Sequence, residues 1–208
     1  MEKEQIVQKI VEATEAYYNS GNPIMSDAEF DILIDRLKGI DPDHPVLHRV
    51  GARPMGQTFE HRIPAGSQEK LKDKNAYERW IAQTRNFGCQ RYTKGYKLDG
   101  LTAVLDYENG HLVRVLSRGD GRVGSDLTAN AIEMKNVKMR LPVPFTGSLR
   151  GEVILSKSDF AEYFAPLGYT NPRNSASGVS SDQKGTGLHR PLNNIFFDCI
   201  GHDGSTTE

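Results

Sequence analysis

Cysteine is scarce in this sequence. Cys89 and Cys199 stand far apart and match no metal-ligand spacing, which argues against a zinc ribbon or a disulfide framework and suits reduced thiols in a cytoplasmic setting, with a single oxidised pair as the alternative. Long apolar runs are missing too. Nothing approaches the roughly 20 residues of a membrane-spanning helix, and the start MEKEQIVQKI lacks the apolar centre of a secretory signal, so no membrane association is expected. Nor is there an excess of one charge. With 26 Lys and Arg against 27 Asp and Glu, the formal net charge is -1, and long-range attraction alone cannot hold such a chain on nucleic acid; phosphate contacts would need a local patch. No internal repeat occurs. The sequence is rich in turn formers, with 20 glycines and 10 prolines, which points away from a helical bundle. Its 37% hydrophobic and 25% charged residues are ordinary for a globular protein and exclude wholesale disorder. A length of 208 residues suits one medium domain, or a small domain joined to an incomplete larger one.

The first segment places Ile6, Ile10, Ala13 and Tyr17 at helical spacing, an apolar stripe able to dock on a neighbour. Gly21-Asn22-Pro23 stops it. Ser26 and Glu29 have capping-box spacing ahead of Phe30, Leu33, Ile34 and Leu37, so a second helix completes a hairpin that ends between Gly39 and Pro45. Residues 46–68 run through Gly51, Pro54, Gly56, Pro64 and Gly66 with little periodicity and read as an irregular connector. The expected division is therefore a helical module over 1–45, the connector over 46–68 and a main domain over 69–208. A short helix from about Asn75 to Asn86, capped through Asn75 and Glu78, is expected to carry Trp80 and Ile81 inward. The β-rich part is expected from Tyr92 onward. Its clearest hairpin flanks Asn109-Gly110 with Leu101–Tyr107 and His111–Leu116, since Asn-Gly suits the type I′ turn. Ser148–Leu155 should alternate Arg150 and Glu152 on one face with Leu149, Gly151 and Val153 on the other. A helix capped by Ser156 follows, and Asn194–Ile200 is the last strand. The fold class is α+β, a helical appendage before a domain with antiparallel sheets.

Lys97-Leu98-Asp99-Gly100 ends the expected first strand and enters the hairpin, where a lysine can be held over a cleft while glycine lets the backbone approach a ligand. A nucleophilic lysine must lose its proton, which calls for desolvation or nearby positive charge. Four letters alone equally describe a turn with a surface lysine. In Arg118-Gly119-Asp120-Gly121-Arg122-Val123-Gly124 the glycines permit a close loop, and Arg118 could bind a phosphate or ribose through its fork of donors; an ordinary polar turn is the other reading. Glu152 in a strand interior needs solvent, an arginine or a ligand hydroxyl as partner, and a structural pair with Arg150 is the plain alternative. In Tyr169–Gly178, a proline-fixed turn with short side chains, Arg173 is the anion-binding candidate. Lys184, His189 and Arg190 could extend a phosphate-facing surface or simply be solvated.

Taken in order, these pieces resemble the NAD⁺-dependent DNA ligases. Tyr17 with Asp27-Ala28-Glu29-Phe30-Asp31 is similar to the family's nicotinamide-mononucleotide module, Lys97-Leu98-Asp99-Gly100 to its adenylated-lysine motif, and Leu116–Asn130 to its Arg-Gly-Asp-Gly segment. Leu149-Arg150-Gly151-Glu152-Val153, Asn171-Pro172-Arg173-Asn174 and Arg190-Pro191-Leu192 before Phe196-Phe197 follow in family order. The resemblance implies a ligase-type nucleotidyltransferase fold in which Lys97 takes AMP from NAD⁺ and passes it toward the 5′-phosphate of nicked double-stranded DNA, with Mg²⁺ present. It implies that Asp99 supports the lysine, that Arg118 and Glu152 meet the adenosine side, and that Arg173 lies on the nucleotide or DNA side. Tyr17, Tyr18, Asp27, Phe30, Asp31 and Ser67 would receive the cofactor. The appendage would act as a lid over the leaving half of NAD⁺.

Several positions depart from the family pattern. Gly95 stands where an adenine-recognising glutamate is usual, Tyr18 where a histidine is, and Phe30 where a tyrosine is. Ser67-Gln68 replaces Ser-Leu, Ser180 or Ser181 replaces an arginine, and Cys199 falls near the adenine-stacking aromatic. This is the pattern of a divergent member in a bacterial cell or phage-infected host. The later Asp-Gly-Val-Val-Ile-Lys motif and final lysine are not found after Gly201, so the domain is expected to be incomplete at its carboxyl end, with a missing continuation or a second polypeptide needed for nick sealing. The competing expectation is a non-catalytic NAD- or DNA-binding component of a ligase-like assembly.

Overall fold

The computed structural model describes residues 2–17, 23–48, 56–66, 70–182 and 187–203. Helix α1 (Lys3–Glu15) buries Ile6, Ile10 and Ala13, and α2 (Asp27–Ile40) buries Leu33 and Leu37 against it. A short α3 (Pro45–His48) closes this small core with Val46 and Leu47. The capping box at the start of α2 is reciprocal: Ser26 Oγ accepts the Glu29 N–H at 3.3 Å and Glu29 accepts the Ser26 N–H at 2.8 Å. Two otherwise orphaned donors are thereby satisfied.

The stretch expected to be an irregular connector holds a strand, β1 (Thr58–Glu60), antiparallel to β4 (Val123–Ser125). Three residues are too short to show a period of two, and the partner lies far along the chain, so local pattern carries no sign of the pairing. Helix α4 (Lys74–Asn86) begins earlier than expected. Its cap is Asp73, whose carboxylate accepts the Ala76 N–H at 2.8 Å, and none of its residues is fully buried. Trp80 packs instead on Tyr92, with ring centroids 5.5 Å apart.

No strand forms from Tyr92 to Gly100, and β2 (Leu101–Glu108) starts at Leu101. The β preference of Tyr92, Thr93 and Tyr96 is only local, and a strand needs a ladder partner; β2 is already flanked on both sides, by β3 (His111–Ser117) and β5 (Gly147–Ile154). The Asn-Gly hairpin is as expected, with Asn109 at φ 47° and Gly110 at φ 77°, the left-handed pair of a type I′ turn. With β6 (Asn193–Gly201) the sheet order is β3-β2-β5-β6, antiparallel throughout.

One face of this sheet carries Ala103, Leu105, Tyr107, Val115 and Val153 into the main core, where Phe164, Ala176, Val179 and Leu192 cover them. Short α5 (Thr128–Ala131) contributes Ala131. Ser156 caps α6 (Lys157–Asp159), which runs on through a wide turn at Phe160–Phe164 and a tight one at Ala165–Leu167. Asn171 then caps α7 (Pro172–Ser180), accepting the Asn174 N–H at 3.1 Å, with proline in the first turn where its missing donor is harmless. By strand alternation the opposite face presents Thr102, Asp106, Ser148, Arg150 and Glu152. The α+β architecture with a helical amino-terminal region therefore holds. Among the described residues no helix is long and apolar enough to cross a membrane.

Candidate functional site

Lys97 lies on the extended stretch that leads into β2 and is exposed. The burial that a reactive lysine calls for is therefore not supplied by the described residues around it. Three residues later, at Gly100, the chain becomes tightly held. A Cβ on Gly100 would sit 2.0 Å from the Val153 carbonyl oxygen, so any larger residue would force β2 off β5. The Gly100 N–H donates to Glu152 Oε1 at 3.1 Å, and the Gly100 carbonyl accepts from Arg173 Nε at 3.2 Å. The same Nε pairs with Asp99 Oδ1 at 2.9 Å.

Arg173 reaches this point from the first turn of α7, where Asn171 and Pro172 set the helix entry. Its guanidinium also stacks over the Tyr17 ring, 4.0 Å from the centroid, a cation-π contact. Tyr17, Asp99, Gly100 and Arg173, distant in sequence, thus share one cluster. Arg173 carries less than the ordinary basicity of arginine because it is buried, and the carboxylate, carbonyl and ring offset the cost of that burial.

Glu152 is placed by β5 opposite Thr102 on β2. Its second oxygen, Oε2, accepts the Thr102 hydroxyl at 3.0 Å. Burial raises the Glu152 pKa above the usual carboxylate value, while the bonds from Thr102 and Gly100 and the charge of Lys97 pull it down and Asp99 pushes it up. The alternative of an Arg150–Glu152 pair does not form. Arg150 donates to the Pro64 carbonyl at 2.8 Å and reaches Asp198 at 3.4 Å, so it clamps residues 63–64 onto the sheet and leaves Glu152 to the Lys97 side.

Arg118 sits at the end of β3, its N–H donating to the Thr102 carbonyl at 3.2 Å. His61 Nε2 is 3.0 Å from the Arg118 carbonyl oxygen and pins that loop to the β1 segment. Because a carbonyl can only accept, Nε2 carries the proton, and burial lowers the His61 pKa. Asp120 folds the loop by accepting the Arg122 and Val123 N–H groups at 2.9 and 2.8 Å.

Two families of sequence match this chain in tandem. Residues 1–51 fit the model of the DNA ligase-like, N-terminal NAD⁺-binding domain, and residues 55–208 fit that of the NAD-dependent DNA ligase adenylation domain. The chain belongs to the NAD-dependent DNA ligase family. Among its ligase relatives are the DNA ligase of Treponema denticola, 35% identical over 93% of this chain and 31% of the relative, and that of Sorangium cellulosum, 33% identical over 96% and 33%. The DNA ligase of Halothermothrix orenii is 35% identical over 90% of the chain and 31% of its own length. The chain therefore spans about a third of these relatives.

In this member of the family Tyr17, Asp27, Phe30 and Asp31 fall in the NAD⁺-binding match, and Lys97, Asp99, Arg118, Glu152 and Arg173 in the adenylation match. Phe30 packs its ring on the helical core, Asp27 is exposed in the first turn of α2, and Asp31 faces Lys70 at 3.6 Å. Tyr18, Ser67 and Lys184 lie outside the described residues. His189 is buried with Nε2 3.1 Å from the Val179 carbonyl, so it holds α7 rather than facing a phosphate; Arg190 is exposed and 3.7 Å from Glu133. Thr102 and Lys70 went unmarked in the sequence reading. Both matter through partners brought near by tertiary register, and nothing local to either residue signals that.

For a divalent ion the donor set is thin. Among the described residues no cluster of three or more His, Cys, Asp or Glu forms a cage. Asp99 is engaged by Arg173, and both Glu152 oxygens are engaged by Thr102 and Gly100. These residues do not make a resident metal site.

Proposed function

We propose that this chain performs the lysine-adenylation step of an NAD⁺-dependent DNA ligase, with Lys97 as the acceptor. The observation that carries the reading is the cluster in which Arg173 joins Asp99 and Gly100 of the Lys97 segment to Tyr17 of the NAD⁺-binding region. One guanidinium thereby spans both halves of a dinucleotide site. Lys97 Nζ, after releasing its proton to solvent, attacks the α-phosphorus of NAD⁺; the new N–P bond forms as the P–O bond to nicotinamide mononucleotide breaks. Arg173 and Arg118 are the cationic groups that meet the charge gathering on phosphate oxygens. Glu152 accepts ribose hydroxyls. Tyr17, Tyr18, Asp27, Phe30 and Asp31 hold the leaving half, Ser67 adds a further contact to the cofactor, and closing the helical module over the cleft removes Lys97 from bulk water. Since these residues make no resident metal site, a Mg²⁺ ion would be held chiefly by the NAD⁺ phosphates, where it would offset their charge, as suits an ion that usually binds through few protein ligands and substrate phosphate.

The onward transfer of AMP to a 5′-phosphate of nicked DNA, and the sealing that follows, draw on protein beyond these 208 residues, either a continuation or a second polypeptide. The near-neutral charge of -1 and the one-third span of the relatives support that part of the reading. The work would take place in the cytoplasm of a bacterial or phage-infected cell. Incubation with NAD⁺ or with ATP, each with Mg²⁺, separates the cofactors: one AMP adduct with release of nicotinamide mononucleotide is expected from NAD⁺ alone. Charging by ATP at an equal rate would reject the cofactor assignment, and NAD⁺ binding without AMP transfer would favour a non-catalytic component.

A further inference from the structure

We propose that Thr102 is a positioning residue for the nucleotide site, acting through Glu152: its hydroxyl fixes the carboxylate in the orientation that receives the ribose. This rests on the role proposed for Glu152 above. Thr102 lies directly across the β2–β5 pair from Glu152, and its Oγ1 donates to Oε2 at 3.0 Å while the Gly100 N–H donates to Oε1 at 3.1 Å. Among the described residues each oxygen is thus held by one donor from β2 or its entry. A carboxylate oxygen has two lone pairs, so one on each remains for an incoming group, and two outward acceptors side by side suit a vicinal diol.

The same threonine also ties the site together through its backbone, since its carbonyl accepts the Arg118 N–H at 3.2 Å. Through one residue the Lys97 segment, the carboxylate and the Arg118 loop are set in register. The charged groups facing Glu152 are Lys97 and Asp99 from the segment before β2, with Arg173 from α7 one hydrogen bond away through Gly100. These groups act on Glu152 through charge, whereas among the described residues the hydrogen bond to Oε2 comes from Thr102. Burial opposes ionisation of Glu152 and the Thr102 bond favours it, so loss of the hydroxyl should both loosen the carboxylate and make it a weaker acid.

The test is a pH titration of the Glu152 side-chain carboxyl by ¹³C NMR in the ligand-free chain, the resonance being the one missing from E152Q. Thr102→Val keeps the branched shape and strand preference but removes the donor, and the midpoint should rise by about one pH unit, as expected for losing one hydrogen bond to a charged group. Thr102→Ser restores the donor and should return the midpoint to within about 0.3 unit of the parent. Unchanged β2–β5 amide signals in both variants show that the sheet is intact. In charging assays Thr102→Val should raise KM for NAD⁺ several-fold more than it lowers kcat, with Thr102→Ser close to the parent. A Val variant whose Glu152 titrates as in the parent, or a Ser variant that fails to restore it, overturns the proposal. If the titration behaves as expected but no form of the chain becomes adenylated at Lys97, the adenylation reading fails and the structural role of Thr102 stands.

Discussion

Arg173→Ala removes three contacts at once, and their sizes can be set from the structure. The ion pair to Asp99 spans 2.9 Å, but the carboxylate side chain is 75% exposed, so it ranks as a surface pair worth at most about 1 kcal/mol. The bond to the Gly100 carbonyl at 3.2 Å contributes about 1 kcal/mol. The stack on Tyr17 at 4.0 Å, made by a guanidinium mostly withdrawn from water, adds about 1 kcal/mol. Only this last part is shared with Tyr17, and about 1 kcal/mol corresponds to roughly five-fold in rate. A double-mutant cycle of Tyr17→Ala and Arg173→Ala, read by the single-turnover rate of AMP transfer from NAD⁺, should therefore show the double variant about five times faster than the product of the single effects predicts. Arg173→Lys should fall between parent and alanine, since the charge survives without the planar fork. Independent sites add within about 0.3–0.5 kcal/mol. Additivity at that level would refute the claim that Arg173 couples the amino-terminal helices to the Lys97 segment.

Other substitutions test the frame and its titrating groups. Gly100→Ala places a methyl 2.0 Å from the Val153 carbonyl and should destabilise the sheet by several kcal/mol, about 3 or more, as seen in urea unfolding; a loss under about 0.5 kcal/mol would mean that the strand entry yields freely. Glu152 has a raised pKa, so the folded state holds its proton more tightly than the unfolded state. Its contribution to stability is full below the unfolded value of 4.5 and is lost as pH rises through the folded value. E152Q should remove that fall from the stability-pH curve while abolishing nucleotide binding, and an unaltered curve would contradict the assignment. His61 has a lowered pKa, so its contribution is full above the unfolded value of 6.5 and declines as pH drops through that value toward the folded one. His61→Gln should flatten this decline and speed hydrogen exchange in the Arg118 loop; equal exchange in both forms would show that the histidine does not pin it.

Elements with a local cause could be read from sequence, and those with a remote one could not. The Ser26 capping box and the Asn109-Gly110 turn each announce themselves within four residues, and each is where the sequence places it, whereas most of the stretch expected as a turn over Tyr169–Gly178 is helix α7, entered through Asn171 and Pro172. Strand β1 escapes because its partner is remote, Thr58 pairing with Ser125, 67 positions along the chain. The stretch before Lys97 has the residues of a strand but pairs with none of the described strands, so local preference misleads there. In the site, residue chemistry marks Glu152 and Arg173 and the family resemblance marks Asp99, whereas the contacts of Glu152 with Thr102 and of Arg173 with Tyr17 depend on register and packing. Exposure of Lys97 was equally invisible, because burial is a property of the assembled cleft.

The adenylation account rests finally on which atom receives AMP. Peptide mapping by mass spectrometry after incubation with NAD⁺ and Mg²⁺ tests it directly, with K97A and K97R as controls. The expected result is a single acid-labile AMP adduct on the peptide that contains Lys97, lost in both variants. An adduct on another lysine, or undiminished labelling of K97A, would contradict the account.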